Sequence, residues 1–222
     1  MGRREPPPQR FSDRIDAGER LGERLAGEAG PATLVLGLPR GGVPVAAEVA
    51  RALGAELDVL VARKVGAPRQ PELALGAVTA TGDLYLDATL VERLRVPTAT
   101  LDGLIARERD EAARRETRFR AGRPFPEVAG RTVIVVDDGL ATGATMLAAL
   151  RSLRRLEPGR LVVAAPVGAR PTCVALGESA DRCVCLLAPE GFHAVGQYYD
   201  DFTPTTDEEV DRILEHARES PA

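Results

Sequence analysis

The sequence predicts an α/β domain with a mostly parallel β-sheet and helices on both faces of that sheet. Five short apolar runs are of the buried type, without the polar alternation of a sheet that has one wet face. The order strand, loop, helix recurs at least three times, which favours right-handed crossovers between parallel strands. The predicted strands are Thr33 to Gly37, Leu57 to Ala62, Thr132 to Val136, Leu161 to Ala165 and Arg182 to Leu187.

The predicted helices lie before, between and after these strands. The last of them opens with Thr-Asp-Glu-Glu, so that a capping threonine precedes an acidic first turn. The helices are Asp13 to Ala29, Pro44 to Leu53, Ala144 to Leu156, Pro171 to Leu176 and Thr206 to Arg218.

The connection between the second and third predicted strands is too long for a simple crossover. Within it, Leu75 to Thr79 and Leu84 to Leu86 flank a turn around Gly82, which predicts a hairpin. The stretch from Thr98 to Ala121 is dense in Arg and Glu and predicts a long, largely solvated helix. Its charges are typical of i,i+4 ion pairs on a solvent-exposed helix face rather than of a ligand site.

The composition is that of a globular protein, with 44% hydrophobic and 28% charged residues in a chain of 222. Arginine supplies 28 of the 29 cationic side chains, and Lys64 is the only lysine. With 33 acidic residues the net charge is −4, so the basic excess of a dedicated nucleic-acid binder is absent and we expect no such partner.

The N-terminus does not have the pattern of a targeting segment. Residues 1–11 are rich in Arg and Pro, no apolar stretch follows them, and nowhere does an 18-residue apolar run occur. We therefore expect a flexible tail over residues 1–11 and a cytoplasmic protein that does not bind membranes. The chain has three cysteines, Cys173, Cys183 and Cys185. The last two form a C-x-C in an apolar run and are interpreted as buried strand thiols, because no second Cys pair or His cluster completes a zinc site.

The stretch from Thr132 to Leu147, TVIVVDDGLATGATML, carries the chemistry. A buried strand ends in Asp137 and Asp138, and a small-residue loop then leads into a helix. In open α/β sheets ligands bind beyond the carboxyl ends of the strands. The loop offers consecutive backbone N–H groups and hydroxyls at a helix N-terminus, which indicates a phosphate cradle. Its residues are Ala141, Thr142, Gly143, Ala144 and Thr145.

The two carboxylates identify the rest of the ligand. The loop is not a Walker A loop, because no Lys follows its last Gly, and the chain has no G-x-G-x-x-G. Adjacent carboxylates would repel a bare anion, whereas Asp137 and Asp138 suit a ligand that also has vicinal hydroxyls and a bound Mg²⁺. Ribose 5-phosphate fits both halves of the motif.

The segment VIVVDDGLATGAT resembles the phosphoribosyl pyrophosphate (PRPP) motif of the type I phosphoribosyltransferases. The resemblance implies that the acidic pair holds the ribose hydroxyls and that the loop holds the 5′-phosphate. It implies one domain over residues 12–222, with a flexible loop, hairpin and long helix inserted at 66–126 and a C-terminal hood and helix at 189–222. A response-regulator receiver domain also has paired Asp at a strand end, but its pair lies near the N-terminus.

Two further loops fit this family. Arg40, Gly41 and Gly42 follow the first strand and resemble the pyrophosphate loop, in which backbone amides and a basic residue face the diphosphate. Arg63 and Lys64 match a diphosphate-binding Arg-Lys of the adenine-type members; Lys64 is favoured, because a compact ammonium suits a single oxygen of the leaving diphosphate. The stretch from Gly66 to about Leu86 would then be the family's mobile loop.

The segment from Pro189 to Phe202 contains four of the eight aromatic residues. It resembles the purine-salvage members, which implies that Phe192 stacks on the base and that Asp200 or Asp201 joins Asp138 near the metal. A satellite core is the alternative for this cluster. Two positions depart from the family: Ala141 stands where several purine members carry an Asp general base, and Gly139 replaces a bulky apolar residue.

The resemblance implies transfer of the 5-phosphoribosyl group of PRPP to a nitrogenous acceptor, expected to be a nucleobase, with Mg²⁺ as cofactor. Asp137, Asp138, Lys64 and Arg40 are the expected catalytic residues. Two alternatives stay open at this point: a non-catalytic PRPP or nucleotide sensor with the same fold, and a hydrolase of a phosphorylated sugar. The acceptor, the general base and the oligomeric state are not specified by the sequence, and a homodimer is one arrangement that it allows.

Overall fold

The computed structural model describes residues 10–30 and 32–219. Its strands are β1 (Leu34–Gly37), β2 (Glu56–Val59), β3 (Ala62–Ala67), β4 (Gln70–Thr79), β5 (Leu84–Leu86), β6 (Thr132–Val136), β7 (Arg160–Val167) and β8 (Arg182–Leu187). Its α-helices are α1 (Arg14–Leu25), α2 (Gly42–Leu53), α3 (Ala88–Arg93), α4 (Thr98–Phe119), α5 (Ala144–Arg154), α6 (Arg170–Ser179) and α7 (Asp207–Glu219). Over the ranges described, no helix combines the length and the apolar character needed to cross a membrane.

The main sheet is parallel throughout, and its strands are ordered β2-β1-β6-β7-β8. The side chains of alternate residues of β6 point to opposite faces of the main sheet. Ile134 packs with residues of α1 and α2, whereas Val135 packs with residues of α5 and α6. The predicted α/β fold, with a parallel sheet covered on both faces, is therefore confirmed.

The apolar run from Leu57 to Ala62 is two strands rather than the single strand predicted. β2 ends at Val59, and the chain then leaves the main sheet to begin β3 in a separate antiparallel sheet ordered β3-β4-β5. Leu60 and Val61, at the break, are both buried in hydrophobic clusters. Because the break is as apolar as the strands, hydrophobicity alone does not reveal it.

The insertion between β2 and β6 contains the predicted hairpin and the predicted long helix. β4 and β5 pair antiparallel around a turn in which Gly82 has a φ of +90°. α4 covers one face of the small sheet through Val65, Val78 and Leu101. The segment from Gly66 to Leu86, predicted as a mobile loop, is largely strand in this structure because its apolar residues are buried. Its mobility stays a prediction.

Arg120 ties the end of α4 to the main sheet. Its guanidinium donates to Asp58 at 3.2 Å, to Glu116 at 2.9 Å and to the carbonyl of Val59. The same group lies 4.1 Å from the ring centroid of Phe125. Burial raises the pKa of Glu116, while the Arg120 charge opposes that shift. This buried ion network joins the insertion to β2.

Phe11 belongs to the folded domain, which corrects the predicted tail over residues 1–11. Its side chain is 2% exposed, and its amide donates to the carbonyl of Tyr198 at 2.9 Å. The aromatic ring makes the difference, because it packs 5.5 Å from the ring of Tyr199. Residues 1–9 of the predicted tail lie outside the described residues.

The predicted cap of the last helix is confirmed. The amide of Glu209 donates to Thr206 Oγ1 at 3.2 Å, and the amide of Thr206 donates to Glu209 Oε2 at 2.7 Å. This reciprocal capping box satisfies two amide donors at the start of α7. Val210 and Leu214 then bury the inner face of α7 beside Phe119 of α4.

Candidate functional site

The two aspartates that follow β6 lie side by side at the carboxyl end of the main sheet. Asp137 and Asp138 are half-buried, and the amide of Asp138 donates to Asp137 Oδ1 at 2.8 Å. Burial raises the pKa of Asp137 well above its usual range, and the charge of Asp138 raises it further. Burial also raises the pKa of Asp138, although Arg14 opposes that shift. A cation or hydroxyl donors would stabilise this pair, which is the ligand chemistry predicted from the sequence.

Arg14 is the counter-ion of Asp138, a role that the sequence analysis did not assign. Its Nε and Nη2 lie 2.9 and 2.8 Å from Asp138 Oδ2, and both side chains are largely buried. Nη1 donates to the carbonyl of Thr203 at 2.8 Å, and the guanidinium lies 4.1 Å from the ring centroid of Phe202. The only local signal is Asp13, which caps α1 and so puts Arg14 at its first position.

Tyr199 holds the backbone of the same aspartate. Its hydroxyl donates to the carbonyl of Asp138 at 2.7 Å, and its ring packs 5.0 Å from that of Phe202. Phe11 and Tyr199 form a parallel bridge, in which the amide of Asp200 donates to the carbonyl of Phe11 at 2.9 Å. The N-terminal and C-terminal segments together therefore position Asp138.

The predicted phosphate loop has the geometry of a helix N-terminus. Gly143 is the N-cap residue of α5 and has a φ of +73°, a conformation that favours glycine. Ala141 and Thr142 are exposed, so that the loop is open to a ligand. Thr172 of α6 stabilises the loop, because its Oγ1 donates to the carbonyl of Ala141 at 2.6 Å. Thr172 is a second supporting residue that the sequence analysis missed.

Gly139, which departs from the family pattern, is explained by Val195. A Cβ at Gly139 would overlap the side chain of Val195, whose Cβ would lie 3.0 Å away. Val195 belongs to the C-terminal aromatic cluster around Tyr198 and Tyr199. The space of a bulky side chain after the acidic pair is thus filled from another part of the chain.

The Arg40-Gly41-Gly42 turn lies against the acidic pair, because β1 and β6 are neighbours in the sheet. The peptide bond between Pro39 and Arg40 is cis. A Cβ at Gly41 would overlap the carboxylate of Asp138, and a Cβ at Gly42 would lie 2.9 Å from the Cα of Asp137. Only glycines permit this approach.

The side chain of Arg40 is exposed and points towards the start of α7. Its Nη1 lies 3.6 Å from Asp207 Oδ1. The amide of Gly42 donates to the carbonyl of Leu38 at 3.0 Å, so this amide stabilises the turn itself. The Arg40 side chain, by contrast, can leave Asp207 at little cost in free energy, since an exposed ion pair of this kind is weak.

Arg63 and Lys64 lie on opposite faces of β3. Arg63 faces α4, where its Nε and Nη2 donate to the buried Glu108 at 3.1 and 2.8 Å. Lys64 pairs across the small sheet with Ala77, which packs against Ala144 in the first turn of α5. Because paired residues share a face, Lys64 lies on the face towards the phosphate loop. The expected contact of Arg63 with a diphosphate is thereby corrected, since Glu108 holds its guanidinium on the other face.

The Lys64 ammonium is held by a weak partner. Its Nζ lies 3.0 Å from Glu72 Oε2, and the Glu72 side chain is 97% exposed. Lys64 itself is 38% exposed. An ion pair this exposed costs little to break, so Lys64 can exchange Glu72 for an anionic ligand.

The C-terminal residues that were predicted to bind the base and the metal lie in different surroundings. Phe192 is half-buried and stacks on Tyr198, with ring centroids 5.9 Å apart and planes 7° apart. Asp200 is exposed and lies 3.4 Å from Arg10, and Asp201 accepts from the amide and hydroxyl of Thr203.

The expected metal set of Asp138, Asp200 and Asp201 is not assembled. The part of the chain that the structure describes contains one group of at least three potential metal ligands within 4.8 Å of one another. This group is Cys173, Cys183 and Cys185. In this structure Asp200 pairs instead with Arg10, and Asp201 accepts from Thr203.

The family comparison decides among the protein classes that a phosphate cradle allows. The model of the phosphoribosyl transferase domain matches residues 13–203. The chain belongs to the phosphoribosyl transferase domain family. The matched range includes the acidic pair and the predicted phosphate loop of this phosphoribosyl transferase domain, together with Arg14 and Thr203.

Individual relatives agree with this membership. The domain is 46% identical over 207 residues to two Mycobacterium tuberculosis proteins, "Putative phosphoribosyl transferase MT0597" of strain CDC 1551 and "Putative phosphoribosyl transferase Rv0571c" of strain H37Rv. These matches cover 93% of this chain but 47% of each relative, so the chain spans about half the length of the curated relatives. The crystal structure of TT1426 from Thermus thermophilus is 48% identical, with a TM-score of 0.79, and the match covers 94% of this chain and 99% of that one.

Proposed function

We propose that this domain transfers the 5-phosphoribosyl group of PRPP to a nitrogen of a nucleobase, with release of diphosphate. One observation carries the proposal: the glycines of the Arg40-Gly41-Gly42 turn lie against Asp137 and Asp138, directly before the phosphate loop of α5. Groups that suit a diphosphate, ribose hydroxyls and a 5′-phosphate are thus contiguous at the carboxyl ends of β1 and β6.

Each loop takes one part of the substrate. The loop from Ala141 to Thr145, of which Ala141 and Thr142 are exposed, receives the 5′-phosphate on backbone amides at the start of α5. Asp137 and Asp138 accept hydrogen bonds from the ribose hydroxyls. Arg40 and Lys64 receive the diphosphate, whose departure they assist by stabilising its developing charge.

Lys64 rather than Arg63 is the cation of the small sheet that meets the substrate. The argument is the face of β3: Lys64 shares the side of Ala77, which packs on the first turn of α5. Its present partner, Glu72, is almost fully exposed and is readily exchanged. The insertion would move with Lys64 and exclude water from the site, which retains the mobile-loop prediction for residues 66–86.

The acidic pair fits a divalent cation. Mg²⁺ prefers carboxylate oxygens and phosphate, and the raised pKa of both Asp137 and Asp138 indicates carboxylates that would gain from a nearby positive charge. Arg14 neutralises part of this charge through Asp138 Oδ2. When bound, the cation would neutralise the substrate's phosphate oxygens, and Asp137 and Asp138 are the residues that would hold it.

For the acceptor, we propose that a nucleobase uses the half-exposed ring of Phe192. Support comes from the ring's parallel stack on Tyr198, which orients it. Residue 141 is an alanine, so an aspartate general base at that position is not part of the proposal.

The proposal is tested by incubating the protein with Mg²⁺, PRPP and separate nucleobases, while diphosphate and new nucleotide are followed together. We expect both products in equal amounts with one class of base. The variant Asp137→Asn with Asp138→Asn should abolish turnover and remain folded, while Asp110→Asn, at an exposed position on α4, should act as the parent. Full activity in the double variant would refute the ribose role.

The same assay, together with a base-free reaction that follows sugar phosphate and a thermal unfolding measurement with PRPP, distinguishes the alternatives. A PRPP or nucleotide sensor would be thermally stabilised by PRPP without diphosphate release for any base. A hydrolase would release sugar phosphate in the absence of a base. The missing aspartate at position 141 is the observation that favours the sensor as second candidate.

We further propose a cytoplasmic protein that acts on small molecules, without nucleic acid, and that associates as a homodimer. A net charge of −4 supports the absence of a nucleic-acid partner. Light scattering on the purified protein tests the dimer, and a mass of one chain would refute it.

A further inference from the structure

Three thiols meet outside the site described above. Cys173 lies in the first turns of α6, and Cys183 and Cys185 are alternate residues of β8 that share one face. Cys173 Sγ lies 2.8 Å from Cys185 Sγ, and Cys183 Sγ lies 4.0 Å from Cys185 Sγ. All three residues are half-buried, which corrects the prediction that the strand thiols Cys183 and Cys185 are buried, so the cluster is partly accessible.

The backbone around this cluster is shaped to the two closest sulfurs. A Cβ at Gly168 would lie 2.5 Å from Cys173 Sγ and 3.2 Å from Cys185 Sγ. Gly168 itself is held on both sides, by a bridge to Leu140 and by its amide, which donates to the carbonyl of Leu187 at 3.0 Å. The glycine therefore closes the space behind the pair without pushing the sulfurs apart.

We propose that Cys173 and Cys185 are an oxidation site, which a hydroperoxide converts into an intramolecular disulfide. The sulfurs are nearer than two unbonded sulfur atoms in contact, so the bond forms with a small movement of the side chains. Cys183 is farther from its neighbour and keeps its thiol.

The chemistry balances with one hydroperoxide. The Cys173 thiolate attacks the O–O bond, an S–O bond forms, and hydroxide leaves and takes up a proton as water. The Cys185 sulfur then attacks the sulfenic sulfur of Cys173, the S–O bond breaks, and a second water leaves with the proton of Cys185. Two thiols and one hydrogen peroxide become one disulfide and two water molecules.

The charge states favour this division of roles. The pKa of Cys173 is lowered by the neighbouring thiols of Cys183 and Cys185. The pKa of Cys185 is raised by its interactions with Cys173 and Cys183 and by burial. Cys173 is accordingly the thiolate that attacks, and Cys185 is the thiol that resolves the intermediate.

The site is adjacent to the support of the phosphate loop. Thr172, the residue before Cys173, donates its hydroxyl to the carbonyl of Ala141. A bond between Cys173 and Cys185 would join this turn of α6 to β8 and so restrain Thr172. Oxidation should therefore raise the temperature of unfolding, since the closed loop restricts the unfolded chain.

The test is a thiol count and an intact mass before and after stoichiometric hydrogen peroxide, under denaturing, non-reducing conditions. The parent should go from three thiols to one, with a loss of two hydrogens, and dithiothreitol should restore all three. Cys183→Ser is the matched control and should go from two thiols to none. Cys173→Ser and Cys185→Ser should keep both remaining thiols.

Several results would overturn the proposal. They are a parent that retains three thiols, added oxygen instead of lost hydrogen, a disulfide that maps to Cys183, and a bond between two chains. If the three sulfurs instead hold a metal ion, Cys183→Ser should change the thiol count after peroxide as much as Cys173→Ser and Cys185→Ser do, and this result would also overturn the proposal. If a serine variant fails to fold, the peptide map of the oxidised parent alone decides, because it names the two cysteines joined.

Discussion

Arg14 and Asp138 form a forked ion pair across 124 positions of sequence, with Nε and Nη2 of the arginine at 2.9 and 2.8 Å from the same carboxylate oxygen. Their side chains are 11% and 15% exposed. The pair joins the first helix to the acidic end of β6, and it directs the positive charge of Arg14 to one edge of the Asp138 carboxylate. Arg14 is therefore a positioning residue for the proposed ribose site.

Replacement of Arg14 should destabilise the fold. In Arg14→Ala, Asp138 stays half-buried beside Asp137 without its counter-ion, and we expect the free energy of unfolding to fall by about 3 kcal/mol in urea titrations. Arg20→Ala, which removes a more exposed ion pair with Asp16 on the same helix, should lower it by less than about 0.5 kcal/mol. Adding Asp138→Asn to Arg14→Ala should recover part of the loss. Equal effects of Arg14→Ala and Arg20→Ala would contradict this assignment.

Arg63 and Lys64 should separate stability from binding. Arg63→Ala breaks two hydrogen bonds to the buried Glu108, and we expect a loss of about 2 kcal/mol in unfolding free energy with unchanged PRPP affinity. Lys64→Ala should leave stability unchanged and weaken PRPP binding about tenfold. Calorimetric titration and urea unfolding of both variants measure the two effects. A loss of PRPP affinity in Arg63→Ala with a loss of stability in Lys64→Ala would contradict the assignment of the two side chains by their faces of β3.

Removal of the partner of Lys64 should improve binding. Glu72→Gln takes away an exposed carboxylate that would compete with the diphosphate for Lys64 Nζ in the proposed site, so PRPP affinity should rise about twofold to threefold at low salt. Glu23→Gln on α1 removes the same charge from an exposed position outside the site and serves as control. Affinity that falls in Glu72→Gln, or that rises equally in both variants, would argue against the exchange.

The acidic pair should make stability depend on pH in a definite direction. Because the pKa of Asp137 is raised in the folded state, the folded protein binds this proton more tightly than the unfolded chain. The unfolding free energy should thus decrease as pH rises from the ordinary carboxyl pKa of about 4 to the raised value. Asp137→Asn keeps the acceptor oxygen for the amide of Asp138 but cannot ionise.

We therefore expect Asp137→Asn to be more stable than the parent at neutral pH, with a difference that shrinks towards pH 4. Urea unfolding of both proteins across this range measures it. The same variant should have lost PRPP turnover, since it removes the negative charge and one of the two acceptor oxygens of the proposed ribose site. A stability difference that grows on acidification would contradict the raised pKa.

Sequence reasoning recovered the local features of the fold. Buried apolar runs gave the positions of β1, β6, β7 and β8, and the cap at Thr206 gave the start of α7, because both signals depend on neighbours along the chain. The same reasoning missed the break at Val59, since both sides of it are buried. It also extended the tail over Phe11, whose burial depends on Tyr199.

For the site, the sequence by itself was enough to predict the acidic pair, the phosphate loop and the glycine turn, because each is a contiguous motif at a strand end. Only the tertiary structure decided that Arg14 neutralises Asp138, that Lys64 and not Arg63 faces the phosphate loop, and that Cys173 meets Cys185. These relationships depend on which face of a strand or helix is turned towards which neighbour. That choice is made by packing between distant segments, and no local pattern encodes it.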